Sequence, residues 1–121
     1  MAYPNISANG TSALIIGMKS CGIGYGDEVI VPSLSHAADP NSVAVIGASV
    51  KFSDVELDSM CLSADLISKN ITKKTKAILN ICAYGSSGDL IILSYLQKMR
   101  ILFLLMIKCF SSKSKSALNF P

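Results

Sequence analysis

The run Asn9-Gly10-Thr11-Ser12 places backbone N–H groups and two hydroxyls at the start of a helical pattern. The first turn of a helix leaves its N–H groups without partners, and the helix dipole favours negative charge there. Such a turn can hold an anion, above all a phosphate. The plainer alternative is that Asn9 or Thr11 only caps the helix. His36, the single histidine of the chain, follows a short β-branched run closed by Pro32. A polar loop after a strand is where an open α/β sheet places its ligands, but a lone loop histidine also serves as a solvated or locally hydrogen-bonded residue. The four cysteines, at 21, 61, 82 and 109, form no C-x-x-C pair, and one histidine is too few for the usual zinc sets. They read as reduced core residues, which suits a cytoplasmic protein.

The elements that must carry these residues alternate. Residues 11–21 read as a helix, with Ala13, Leu14, Met18 and Cys21 near helical spacing. Gly22, Gly24 and Gly26 end it. This glycine run follows a helix and opens a strand, the reverse of a dinucleotide-binding loop, so it reads as a helix stop and turn. Strands are expected at 28–31, 50–54, 76–82 and 101–107, and helices at 39–46, 63–68 and 88–98. Pro40 suits the first turn of the second helix, Gly47 stops it, and Ser63 caps the third. Helix and strand in alternation predict a mostly parallel sheet with helices on its faces.

Composition narrows the class of function. The chain has 121 residues, half of them apolar, which is one domain's worth of core. Eleven basic against eight acidic residues give a net charge of +3 without a basic, aromatic-studded stripe, which argues against nucleic acid. A signal peptide is not expected from the N-terminal residues. The apolar stretch at 90–110 is interrupted by Gln97, Lys98 and Arg100, and a membrane span is not expected.

Five segments, in order, carry a more specific likeness: the Asn9–Ser12 turn; Gly24-Tyr25-Gly26-Asp27-Glu28-Val29-Ile30-Val31-Pro32; Gly47-Ala48 through Asp54-Val55; Ile71-Thr72 with Thr75-Lys76-Ala77-Ile78; and Tyr84-Gly85. Together they resemble the sugar-nucleotide aminotransferases of the DegT/StrS type, which use pyridoxal phosphate on the aspartate-aminotransferase fold (fold type I). The resemblance implies a partial three-layer α/β sandwich, the N-terminal part of the large domain. It implies that Gly10, Thr11 and Ser12 grip the cofactor phosphate, and that His36 lies over the pyridine ring where relatives carry an aromatic residue. It implies a role in making amino sugars for polysaccharide, lipopolysaccharide or antibiotics, with a keto-sugar nucleotide and an amino donor as substrates, in a homodimer. Lys76 opens a strand and does not correspond to the cofactor-bearing lysine. Asp39 and Pro40 replace small residues of the family pattern, and Cys82 replaces a histidine.

The resemblance is expected to run from about residue 7 to Asp89. No acid follows Asp89, so the strand at 101–107 lacks the carboxylate that in relatives pairs with the pyridine nitrogen and makes the cofactor an electron sink. The cofactor-bearing lysine lies beyond Pro121 in relatives. The expectation is a fragment inactive alone: 1–98 a partial large domain, 99–110 an aberrant apolar strand-like segment, 111–121 a disordered tail, with the reading frame lost near 88–90. Two other readings stay open. One is a non-catalytic module that binds phosphate or pyridoxal phosphate, and the other an interaction partner of a full-length relative.

Overall fold

The computed structural model describes residues 9–81, and 102–106 at the level of the backbone. The helix expected at 88–98, the Tyr84-Gly85 turn and the tail lie outside the described residues.

Helix α1 spans Gly10–Ser20. Asn9 opens it in extended conformation, and its side chain accepts from the Ser12 N–H. Leu14 and Met18, one turn apart, are the buried face. The helix stops because Gly22 takes φ +78°, which lets the Ile23 N–H reach the Met18 carbonyl and the Gly22 N–H reach Lys19. That paired return satisfies two end carbonyls and brings Ile23 against Met18 in the core. Cys21 sits at the cap, past the last buried turn, and is exposed; the expectation of a core cysteine holds for Cys61 and not for Cys21.

Strand β1, Glu28–Pro32, is the β-branched run, with Val29, Ile30 and Val31 fully buried. Helix α2, Ala38–Val45, leads to β2, Ser49–Ser53. Helix α3, Ala64–Ser68, follows, capped by Ser63, whose hydroxyl accepts from the Leu66 N–H and donates to Glu56 Oε1 at 2.6 Å. Strand β3 is Thr75–Ile81 and β4 is Leu102–Met106.

The strands form one parallel sheet in the order β2-β1-β3-β4. Side chains alternate across β1 and β3, so the two faces build separate cores. Val29, Val31, Ala77 and Leu79 pack under α1 and α2 with Leu14, Met18 and Val43. Ile30 and Ile78 pack on the other face with Leu62 and Ile67 from the α3 region. The result is three layers, as parallel strands require. Strand β4 pairs with β3 along five residues, ending with Met106 beside Ile81. Among the described residues no helix is long and apolar enough to cross a membrane.

Between β2 and α3 the chain turns at Met60, which has φ +57° and is 40% exposed. The turn is closed by the Met60 N–H on Glu56 O and the Glu56 N–H on Cys61 O. A side chain in the left-handed region costs about 1 kcal/mol, and glycine avoids that cost. Met60→Gly is therefore expected to raise stability by about 1 kcal/mol, seen as a higher urea midpoint at unchanged slope. A lower midpoint would show that the methionine's contacts outweigh its backbone strain.

Candidate functional site

The turns of the fold decide which residues share an edge. The α1–β1 turn meets the α2–β2 turn: a side chain on Gly24 would stand 3.6 Å from the Ile46 carbonyl, and one on Gly47 3.7 Å from the Tyr25 nitrogen. The Ser49 N–H donates to Asp27 O beside them. Both turns thus lie where β1 and β2 begin. Helices α1 and α2 run back over the sheet from the opposite edge, where the strands end. Their first turns, with Gly10, Thr11 and Ser12 on one and His36 ahead of the other, therefore share the carboxyl edge of the sheet, the ligand edge of open α/β folds. The described lysines of the α1 end and the β3 approach, Lys19, Lys73, Lys74 and Lys76, stand at the other edge.

At the start of α1 the cap does not use up the backbone donors. Asn9 Oδ1 takes the Ser12 N–H at 2.8 Å, and Asn9 O takes the Ala13 N–H at 3.1 Å. Asn9, not Thr11, is the cap. Among the described residues nothing accepts from the N–H groups of Gly10 and Thr11. Gly10 is exposed, while Thr11 and Ser12 are half-buried. Two free N–H groups, two hydroxyls and the positive end of an eleven-residue helix suit a phosphate dianion. No acid lies in that first turn to oppose it. By this donor set, the phosphate end of pyridoxal phosphate fits the residues present.

His36 is exposed, but its backbone and ring are both engaged. Its N–H donates to Asp39 Oδ2 at 3.1 Å, its carbonyl accepts the Asp39 N–H at 3.0 Å, and its Nδ1 accepts the Ala38 N–H at 3.1 Å. Ala37, directly before α2, makes no side-chain cap. The capping falls to His36 and Asp39, three apart and reciprocally bonded in the manner of a capping box. Sequence reasoning missed Asp39 as part of this arrangement; the His-x-x-Asp spacing just ahead of a helix was the available signal.

Asp39 is 1% exposed, and its Oδ1 has no hydrogen-bond partner. Burial pushes its carboxyl above the usual value of 3.8, against the lowering effect of the His36 N–H and the His36 charge. A carboxyl with a raised folded-state pKa binds its proton more tightly when folded. Its contribution is most favourable below 3.8 and declines as pH rises through the folded value. Asp39→Asn keeps the acceptor and removes the ionisation. The variant should lose less stability than the parent between about pH 4 and neutrality. Urea unfolding at stepped pH measures this, and parallel profiles would contradict it.

Comparison with known proteins adds an independent line. Residues 6–106 match the model of the DegT/DnrJ/EryC1/StrS aminotransferase family, a span that reaches past Asp89 and takes in β4. The L-glutamine:2-deoxy-scyllo-inosose aminotransferase of Streptomyces fradiae is 37% identical over 84 residues, which is 69% of this chain and 20% of that protein. The GDP-perosamine synthase of Escherichia coli O157:H7 is 37% identical over 115 residues, 93% of this chain and 32% of the relative. The structure of NtdA from Bacillus subtilis with bound cofactor PMP superposes with a TM-score of 0.76 at 32% identity, covering 79% of this chain and 22% of that one. The chain thus spans about a fifth to a third of the curated relatives it matches here.

Proposed function

Because this chain belongs to the DegT/DnrJ/EryC1/StrS aminotransferase family, we propose that Gly10, Thr11 and Ser12 hold the phosphate of pyridoxal phosphate and that His36 lines the ring side of the same site. The observation that carries this is the pair of free N–H groups at the start of α1, on the sheet edge that also bears His36. The bound cofactor supplies the electron sink for moving an amino group. The residues here fix its anionic end and orient it. The reaction served is transfer of an amino group from a donor to a ketone on a polyhydroxylated ring, a keto-sugar nucleotide foremost. Relatives named for GDP-perosamine and for an inosose support that class.

Among the described residues, Lys19, Lys73, Lys74 and Lys76 stand at the edge away from the site, and the β4 run Leu102–Met106 contains no Asp or Glu. This favours a second, narrower reading, a phosphate-holding module that contributes half a site.

Equilibrium dialysis with pyridoxamine phosphate and with pyridoxamine tests the phosphate grip, because neither ligand forms an imine with surface lysines. The phosphorylated ligand should bind at least about tenfold more tightly, a difference of ~1.4 kcal/mol. Equal affinities would refute the assignment.

A further inference from the structure

We propose that Asp39 is a positioning residue for His36: it fixes the turn so that the imidazole is held through Nδ1 and presents its Nε2–H outward as a directed hydrogen-bond donor. Three bonds define the arrangement. The Asp39 carboxylate accepts the His36 N–H, His36 O accepts the Asp39 N–H, and His36 Nδ1 accepts the Ala38 N–H. A neutral imidazole that accepts at Nδ1 carries its proton on Nε2. Among the described residues Nε2 has no partner, and the ring is exposed.

The second, independent observation is Asp39 itself. It is 1% exposed with Oδ1 unpartnered, an arrangement that costs stability and needs a compensating role. Solvated caps such as Asn9 carry no such cost. The buried carboxyl acts through the backbone: it holds the His36 N–H, and the turn so fixed sets the Ala38 N–H against Nδ1, which settles the tautomer. The consequence is chemical. Relatives were expected to offer a flat aromatic face at this position, whereas His36 also offers an N–H. It is suited to a ligand oxygen, either a phosphate or a hydroxyl, within reach of the ring.

That His36 faces a ligand rests on the reading given under the proposed function; that Asp39 orders the ring does not. With one histidine in the chain, its ring nitrogens give a single assignable set of ¹⁵N signals. At about pH 8, where an ordinary imidazole is neutral, the ligand-free chain should show the Nε2–H tautomer favoured roughly tenfold. Asp39→Ala should bring the two tautomers near balance, and Asp39→Asn, which keeps the acceptor, should restore the preference. A parent chain with mixed tautomers overturns the proposal whether or not the alanine variant folds, and so does an unchanged preference in a folded Asp39→Ala. A separate titration with pyridoxamine phosphate reads the site itself. Movement of the Nε2 signal supports His36 as a ligand contact. An unmoved signal, with the tautomer preference intact, removes the ligand role and leaves the positioning role standing.

Discussion

Ser12→Asp should weaken the binding of pyridoxamine phosphate by tenfold or more while leaving the fold as stable as the parent, or slightly more so. The two effects have opposite signs for one reason. The first turn of α1 concentrates partial positive charge, and it contains no acid. A carboxylate placed there interacts favourably with the dipole by ~0.3–1 kcal/mol. The same carboxylate occupies the region the phosphate needs, beside the free N–H groups of Gly10 and Thr11, and repels it. A general loss of folding would lower binding and stability together. Dialysis and urea unfolding of one variant therefore separate a local anion site from a structural effect. Retained affinity would mean that the phosphate, if bound at all, is bound elsewhere.

Leu79→Ala should destabilise the chain by about 3 kcal/mol, within the 2–5 kcal/mol usual for buried leucines. Leu79 is fully buried in β3, between β1 and β4, and packs in the same core as Leu14, Met18 and Val31. Its loss leaves a cavity under α1, and the sheet neighbours on both sides limit how far the strand can relax. Domains of this size are stable by only about 5–15 kcal/mol, so the variant loses a large share of the total. Lys76→Ala, on the same strand but exposed, should stay within about 0.5 kcal/mol. Urea unfolding of both variants measures the contrast. Similar effects at 76 and 79 would contradict a core centred on β3.

Much of this fold is legible in the residues because punctuation is strong where it matters. Gly22 and Gly47 both take positive φ at the positions that stop α1 and α2, so those helix ends fall within a residue of the expected ones. The β-branched Val29-Ile30-Val31 run reads as a buried strand and is one. The strand order is less legible. Placing β1 between β2 and β3 depends on which way each crossover turns, and no local residue records that.

The site was legible in parts. The start of α1 reads as a cap or an anion turn; the structure shows the cap, in which Asn9 consumes one N–H, and leaves two N–H groups on which the proposed anion site rests. Asp39 was visible only as a departure from a pattern. An aspartate in a helix's first turn reads as a solvated acid, and its burial is a product of tertiary packing that the local sequence does not record. Met60 is similar: nothing about a methionine announces φ +57°, and only closure of the Glu56–Cys61 turn imposes it.

The central claim is that the start of α1 grips a phosphate through its free amides. The most direct measurement is a ¹H–¹⁵N map of the chain during titration with pyridoxamine phosphate. The account predicts that the amides of Gly10 and Thr11 move first and furthest, that Ser12, already donated to Asn9, moves less, and that pyridoxamine without phosphate leaves all three in place. Saturable shifts that leave Gly10 and Thr11 unmoved, or equal shifts with both ligands, would contradict it.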